Sequence, residues 1–279
     1  MKFTKWQGCG NDFVLIDCRE SEPADYAKLA IKVCDRHYGV GADGILVVLP
    51  SALPDADFRM RIFNTDGSEA EMCGNGIRCF ARYLYDEGIT KKTEFGVETG
   101  AGVLVPRIIL EDGKVTGVRV DMGEPILEGD KIPVTGYGMN RVINEPITVQ
   151  GKEYHMTCVS MGNPHCVVFV EDAENFPIYE VGTHFEHHEA FPRKTNTEFV
   201  EVKDRSHVRM RVWERGAAVT LACGTGSCAT AVAGVLNDKT DRKAEVELDG
   251  GKLLVEWTPN NHVFMTGPAE LVFTGELAD

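Results

Sequence analysis

Two short segments of the chain combine a cysteine with closely spaced glycines. Residues 73–76 (CGNG) and 223–226 (CGTG) lie 150 positions apart, and each is followed by a helix-forming pattern. The first turn of a helix carries unpaired N–H groups and the positive end of the helix dipole, which stabilise negative charge. We therefore expect a lowered pKa for Cys73 and Cys223. The glycines leave room for a ligand, such as a substrate carboxylate, against the same N–H groups.

A pair of such thiols is suited to inverting a carbon stereocentre. One cysteine, as a thiolate, removes a proton from one face of the carbon, while the other, as a thiol, returns a proton to the opposite face. The roles exchange in the reverse direction, and the two titrations are coupled. Cys73 and Cys223 are therefore the candidate acid–base pair. The other seven cysteines are predicted to be small buried apolar residues, and they are Cys9, Cys18, Cys34, Cys79, Cys158, Cys166 and Cys228.

The two cysteine segments belong to a longer internal repeat. At a shift of 150, residues 59–64 (RMRIFN) align with 209–214 (RMRVWE), ahead of the two cysteine segments. At a shift of 152, Asn11 aligns with Asn163, and each follows a glycine and precedes an apolar strand. This order predicts a duplicated unit. Matched motifs on two units favour a cleft between them, which is a common place for a pocket.

Strands dominate the predicted elements. Short Val-, Ile- and Phe-rich runs predict strands over residues 13–17, 45–49, 58–63, 115–122, 166–170, 198–202, 208–213, 244–248 and 253–257. Apolar stripes and terminal glycines predict helices over residues 25–38, 75–87 and 225–236. The third helix is small and apolar nearly all round, which indicates burial on every side. Strands with interspersed helices indicate a mixed α/β (α+β) class.

Composition excludes several classes of protein. The 279-residue chain has a formal net charge of −14 and no basic run, which argues against binding to nucleic acid or to an anionic membrane surface. Its apolar runs are of strand length, so we expect no signal peptide and no membrane span. Nine cysteines, an odd number without a C-x-x-C pair, argue against a disulfide framework or a zinc ribbon. We expect a cytoplasmic protein with reduced thiols.

Six segments together resemble one known family over essentially the whole chain. They are residues 8–13 (GCGNDF), 61–68 (RIFNTDGS), 73–79 (CGNGIRC), 160–165 (SMGNPH), 214–216 (ERG) and 222–226 (ACGTG). The sequence resembles the diaminopimelate epimerases, which interconvert LL- and meso-2,6-diaminopimelate without a cofactor, on the route to lysine and peptidoglycan. The resemblance implies two pseudo-symmetric domains, each a strand-rich layer wrapped around a central helix, with the active site in the cleft between them. It also implies that the protein binds a small-molecule substrate, diaminopimelate, and that it forms a homodimer.

The resemblance extends to domain bounds and to individual residues. It implies an N-terminal half of residues 1–122 plus 267–279 and a C-terminal half of residues 123–266. Cys73 and Cys223 would be catalytic, His165 and Glu214 would tune the thiols, and no metal would be bound. The substrate-binding set would be Asn11, Asn64, Gly74, Asn75, Asn163, Asn196, Glu214, Arg215, Gly224 and Thr225. These residue types fit, because a desolvated substrate with an amino acid at each end needs both ends paired.

One position departs from the family pattern. Some members carry Gln at the last residue of the 39–44 motif (GVGADG here), where it touches substrate, but this chain has Gly44. A contact to the distal end of the substrate is therefore missing or supplied otherwise. The same segment matches the dinucleotide pattern G-x-G-x-x-G, but a predicted helix precedes it and a strand follows it, which is the wrong context.

Plainer alternatives remain open for several of these residues. Asn11 and Asn163 suit tight turns, Glu214 with Arg215 suits a solvated pair, and His165 suits a structural role. Residues 185–189 (FEHHE) are predicted to form an exposed polar loop and not a metal site. For the whole protein, the alternatives are another cofactor-free racemase, such as one resembling proline racemase, a cysteine hydrolase, or a redox sensor. The hydrolase would use Cys223 with His165, and the sensor would join Cys73 to Cys223.

Overall fold

The computed structural model describes residues 1–278, so the last residue of the expected N-terminal half, Asp279, lies outside the described residues. The chain divides into two compact units. Unit 1 comprises Met1–Asp121 and the segment that begins at Thr266, and unit 2 comprises Met122–Met265. Within residues 1–278, every helix is too short or too polar to cross a lipid bilayer.

Unit 1 contains two helices and ten strands. The helices are α1 (Tyr26–Cys34) and α2 (Gly74–Asp86). The strands are β1 (Lys2–Gly8), β2 (Asn11–Asp17), β3 (Gly44–Pro50), β4 (Phe58–Asn64), β5 (Glu69–Ala70), β6 (Val97–Thr99), β7 (Gly102–Leu104), β8 (Arg107–Glu111), β9 (Lys114–Asp121) and β19 (Glu270–Glu276).

Unit 2 also contains two helices, α3 (Ile178–Glu186) and α4 (Gly224–Leu236), after a short 3₁₀ turn at Gly129–Lys131. Its strands are β10 (Glu145–Val149), β11 (Lys152–Ser160), β12 (Pro164–Phe169), β13 (Asn196–Asp204), β14 (His207–Glu214), β15 (Ala218–Thr220), β16 (Lys243–Leu248) and β17 (Gly251–Trp257). Strand β18 (Val263–Gly267) runs from the end of unit 2 into the returning segment of unit 1.

In unit 1 the sheet wraps around α2. The strand order is β19-β1-β2-β3-β4-β6-β7, with β5 beside β4, and α2 packs against strands of this sheet and against the β8–β9 hairpin. Helix α1 lies against β3 and β4. Ile45 and Val47 share a buried cluster with Ala30 and Val33 of α1, whereas Leu46 approaches Gly76 of α2. Burial on both faces explains why β3 is a continuous apolar run.

Unit 2 repeats this arrangement around α4. Its order is β10-β11-β12-β13-β14-β16-β17, with β15 beside β14, and α4 packs against six of these strands. The pairing directions also match: β12–β13 and β14–β16 are parallel like β2–β3 and β4–β6, and the other named pairs are antiparallel. The duplicated α/β unit with a central helix is therefore confirmed. Helix α3 occupies the place of α1: α1 connects β2 to β3, and α3 connects the equivalent strands β12 and β13.

Two sequence predictions about these elements were wrong, and one helix was missed. The first helix ends at Cys34 and not at residue 38, because the Asp35 carboxylate accepts the backbone N–H groups of His37 and Tyr38 and closes a turn there. Helix α3 was not predicted. Residues 185–189 are not an exposed loop, because Phe185 and Glu186 are buried at the end of α3. The described residues contain no group of three His, Cys, Asp or Glu side chains able to hold a metal ion.

Candidate active site

Each catalytic candidate is the N-cap residue of the central helix of its own unit. Cys73 precedes α2 with φ −142° and ψ 120°, and its sulfur accepts the N–H of Gly76 at 3.4 Å. Cys223 precedes α4 with φ −127° and ψ 107°, and its sulfur accepts the N–H of Gly226 at 3.4 Å. The two units therefore present a sulfur in the same way, on an otherwise unpaired donor of the first helical turn.

The glycines of these first turns are required to different degrees. A Cβ at Gly76 would lie 3.1 Å from a methyl carbon of Leu46, which is a movable side-chain end. A Cβ at Gly226 would lie 2.7 Å from Glu198 Oε1 and 3.2 Å from Cys223 Sγ. Helix α4 thus begins in close contact with the buried carboxylate of Glu198, and glycine at position 226 leaves room for that carboxylate.

In unit 1, the structure brings the predicted site residues Asn11, Gly74 and Asn75 close to the Cys73 sulfur. The Cys73 thiol donates to Asn11 Oδ1 at 3.7 Å, and Asn75 Nδ2 donates to the same oxygen at 3.1 Å. Gly74 and Asn75 form the first turn of α2. Asn64 ends β4, and its Nδ2 donates to Ser68 Oγ at 3.0 Å within the β4–β5 turn. Asn11 is the first residue of β2, and the positive φ angles of the preceding turn belong to Cys9 and Gly10.

Gly44, which departs from the family pattern, has no room for a side chain. It is buried at the start of β3, where a Cβ would lie 2.8 Å from the backbone oxygen of Phe63 on the neighbouring strand β4. Glutamine at this position would require the two strands to shift. The substrate contact that glutamine makes in some family members is therefore missing here because the backbone of β4 leaves no room for that side chain.

In unit 2, Cys223 lies among acidic groups. Its sulfur is 3.5 Å from Thr225 Oγ1. The Glu214 carboxylate, at the end of β14, accepts hydrogen bonds from the Cys223 thiol and from the Thr220 hydroxyl. Burial raises the pKa of Glu214, and these hydrogen bonds and the nearby His165 offset part of that effect.

The expectation of a lowered pKa is wrong for Cys223. Burial raises the pKa of this thiol well above its usual value, and the carboxylates of Glu214 and Glu198 raise it further. The Thr225 hydroxyl and the Gly226 N–H act in the opposite direction but do not prevail. Cys223 is only 5% exposed. The helix N-terminus is thus outweighed by desolvation and by two neighbouring acids, so the thiol form of Cys223 is favoured.

Sequence reasoning missed one residue of this region, Glu198. Its Oε1 lies 2.6 Å from Nδ1 of His165, and both side chains are fully buried. Nε2 of His165 lies 3.0 Å from Asn163 Oδ1, so the ring joins Glu198 to a predicted substrate-binding residue. The other oxygen of Glu198, Oε2, is buried and has no hydrogen-bond partner among residues 1–278. An acidic residue inside the apolar run of β13 was the available sign, because such a residue is seldom buried unless paired.

The two remaining candidates are Asn196, the first residue of β13, and Arg215, which directly follows β14. Both ends of the Asn196 amide are bonded to backbone: Nδ2 donates to Pro164 O at 3.0 Å, and Oδ1 accepts the Arg215 N–H at 2.8 Å. Nη1 of Arg215 donates to the backbone oxygen of Arg193 at 3.0 Å. Asn196 therefore fixes the chain at Arg215, and the guanidinium is held by the loop before β13.

The nine cysteines of the chain differ in their exposure. Cys73 is partly exposed, whereas the other eight are buried. Burial raises the pKa of several of these thiols, including Cys79 to about 12 and Cys34 to about 11. The prediction that seven cysteines are buried small residues is confirmed.

Solved structures define the class of fold. A Bacillus anthracis phenazine biosynthesis protein of the PhzF family matches with a TM-score of 0.70 and 18% identity, covering 100% of this chain and 99% of that chain. A probable proline racemase from Agrobacterium radiobacter K84 matches with a TM-score of 0.68 and 15% identity, covering 99% and 92%. The protein thus has the duplicated α/β fold shared by these proteins.

Sequence comparison identifies the family within this fold. The family model described as "Diaminopimelate epimerase" matches residues 3–128 and 157–272. The diaminopimelate epimerase of Moorella thermoacetica is 57% identical over 278 residues, and that of Agathobacter rectalis is 56% identical over 284 residues. Each alignment covers 99% of this chain and 99% of the relative. The chain belongs to the diaminopimelate epimerase family, and it is an enzyme of the isomerase class.

Proposed function

We propose that the protein interconverts LL- and meso-2,6-diaminopimelate without a cofactor, using Cys73 and Cys223 as an acid–base pair. One observation carries the proposal. Each unit holds a cysteine sulfur on the N–H of the glycine three residues later, at the start of its central helix. Membership of the diaminopimelate epimerase family supports the choice of substrate. The product would serve lysine and peptidoglycan synthesis in the cytoplasm.

In the proposed mechanism the two cysteines act from opposite faces of the substrate α-carbon. The domains would comprise residues 1–122 plus 267–279 and residues 123–266, and each would contribute one of the two cysteines. Because the pKa of Cys223 is raised, its thiol is suited to donate a proton while Cys73 accepts one. Negative charge that develops beside the substrate carboxylate would be stabilised by the N–H groups of Gly74, Asn75, Gly224 and Thr225.

Recognition of both ends of the substrate would use the remaining polar groups. Arg215 can clamp a carboxylate with two parallel hydrogen bonds, and the Asn11, Asn64, Asn163 and Asn196 amides can donate and accept. His165 and Glu214 would tune the thiols, since Glu214 is bonded to Cys223 and His165 lies close to Glu214. A small substrate with a single amino acid group, such as proline, would leave much of this polar set unpaired, which is costly.

We also propose that the protein is a homodimer. Strand β19 is the terminal strand of the unit 1 sheet, and Leu271, Val272 and Phe273 along it are 47%, 55% and 45% exposed. An exposed apolar edge strand is a template for pairing with another chain. Phe273→Lys should lower the mass in solution from dimer to monomer, as measured by sedimentation. An unchanged dimer would contradict the assignment of this edge.

The experiment that tests the reaction is a direct assay of stereochemical inversion. The protein should convert LL-diaminopimelate to the meso form and leave L-proline unchanged. Cys73→Ser should abolish most turnover, whereas Cys18→Ala, which changes a buried thiol of the same unit, should retain it. Turnover of proline would favour a racemase of the other substrate class. Full turnover in Cys73→Ser, with an acyl intermediate on Cys223, would favour the hydrolase alternative.

A further inference from the structure

The glycine-rich segment at residues 39–44 has no role in the proposed function, yet it delivers a carboxylate to the Cys73 half-site. Asp43 Oδ2 accepts a hydrogen bond from Asn11 Nδ2 at 2.8 Å and from the backbone N–H of Asp12 at 3.1 Å. Asp43 Oδ1 accepts from Arg36 Nη2 at 2.8 Å. A carboxylate offers only acceptors, so the group that Asn11 turns toward Asp43 must be its NH₂.

The opposite end of this hydrogen-bond chain is a buried guanidinium. Arg78 is 0% exposed, and its Nη1 donates to Asn75 Oδ1 at 2.9 Å. A guanidinium only donates, so Asn75 must turn its NH₂ the other way, where it donates to Asn11 Oδ1 at 3.1 Å. The chain Arg78–Asn75–Asn11–Asp43 therefore has a single direction, set by a donor-only group at one end and an acceptor-only group at the other.

The direction of these hydrogen bonds decides which atom of the Asn11 amide faces the Cys73 sulfur. Asn11 Oδ1, 3.7 Å away, accepts the Cys73 thiol proton. An acceptor at this place stabilises the protonated thiol, whereas the N–H of Gly76 stabilises the thiolate. If the Asn11 amide were reversed, its NH₂ would face the sulfur and would favour the thiolate, as the N–H of Gly76 does. The amide orientation thus sets a balance between the two protonation states of Cys73.

We propose that Asp43 is a positioning residue for Cys73: by holding the Asn11 amide, it keeps an acceptor on the thiol and delays formation of the thiolate. Its consequence for turnover rests on the proposed function, but its effect on the free protein does not. The other charged and titratable groups around this hydrogen-bond chain are Cys9, which accepts from Arg78 Nη2, Cys79 of α2, Cys34 of α1, and the ion-paired cluster of Asp12 with Lys5 and Arg36.

The test is the pH dependence of alkylation of Cys73 by iodoacetamide in the free protein, in a Cys223→Ser background. Cys73 is the partly exposed cysteine, so it reacts before the buried ones, and peptide mass mapping confirms the site. Asp43→Ala should move the half-maximal rate to lower pH by about one unit. Asn11→Ala should do the same, because it removes the acceptor itself. Arg36→Gln removes the counter-ion of Asp43 but not the bond to Asn11, so it should not lower the midpoint.

The double variant separates positioning from simple charge. If Asp43 acts through Asn11, then adding Asp43→Ala to Asn11→Ala should produce no further shift. A shift that persists in the Asn11→Ala background, or no shift in Asp43→Ala alone, would overturn the proposal. In the enzyme with Cys223 intact, the acid limb of kcat/KM for LL-diaminopimelate should move by the same amount. If the protein does not turn over diaminopimelate, the proposed function fails while the alkylation result still decides the role of Asp43.

Discussion

Glu198 should control the acidity of Cys223, and Glu198→Gln tests this with almost no change of shape. The two groups are close: a methyl carbon at Gly226 would lie 2.7 Å from Glu198 Oε1 and 3.2 Å from Cys223 Sγ. Oε1 and Sγ are therefore within about 6 Å of each other. Two unit charges at that distance interact by about 3 kcal/mol at an effective dielectric constant of about 20. That energy corresponds to about two pKa units.

The expected shift is smaller than this limit because Glu198 does not act alone. Its Oε1 is bonded to Nδ1 of His165 at 2.6 Å, and a proton shared between them offsets part of the negative charge. We expect Glu198→Gln to lower the pKa of the Cys223 thiol by about one unit, since a neighbouring charge that opposes ionisation has been removed. Burial and Glu214 should keep the pKa of Cys223 above its usual value even then.

The assay is a titration of thiolate ultraviolet absorbance in a Cys73→Ser background, with the signal of Cys223 obtained by difference from the variant that also lacks Cys223. Glu201→Gln is the matched control, because Glu201 lies on the same strand β13 and is ion-paired with Lys203 near the surface. It should leave the titration of Cys223 unchanged. An unchanged or raised pKa of Cys223 in Glu198→Gln would show that the Glu198 charge does not act on this sulfur.

Further predictions concern the close contacts and the buried acid. Gly226→Ala should destabilise the protein by about 1–3 kcal/mol in urea unfolding, since the methyl group would press on the Glu198 carboxylate, whereas Gly76→Ala should stay within about 1 kcal/mol. Gly44→Gln should also cost about 1–3 kcal/mol, with no gain in kcat/KM, because the backbone of β4 blocks its Cβ. The pKa of Glu214 is raised on folding, so its contribution to stability is present at low pH and lost as the pH rises through the folded-state pKa. Glu214→Gln should therefore reduce the fall in Tm as the pH is raised above the ordinary pKa of a glutamic acid, about 4.3, measured by calorimetry.

The repeat explains why so much of the fold could be predicted from the sequence. Equivalent segments on two units fixed both cysteines at helix starts, and they account for the matched strand orders. The same repeat predicts a helix at α3, because α1 connects β2 to β3 in unit 1, and β12 and β13 are the equivalent strands of unit 2. Helix α3 is hard to recognise from sequence because its residues (IYEVGTHFE) differ from those of α1 (YAKLAIKVC).

The chemistry of the half-sites was less accessible to sequence reasoning. A cysteine before a helix indicates a thiolate, but the outcome for Cys223 depends on burial and on Glu198, which comes from a different strand. Only the packing of β13 against α4 brings these groups together. Likewise, the role of Asp43 depends on which end of the Asn11 amide faces it, and this follows from hydrogen-bond partners that are far apart in sequence.

The most direct test of the two-thiol account is the incorporation of solvent deuterium at the α-carbon during early turnover of LL-diaminopimelate in deuterated water. If two separate groups remove and return the proton, deuterium should appear mainly in the inverted product, and Cys73→Ser and Cys223→Ser should each abolish most of the inversion. Deuterium accumulating in unconverted substrate at the same rate as in product, or inversion retained in either serine variant, would contradict the account.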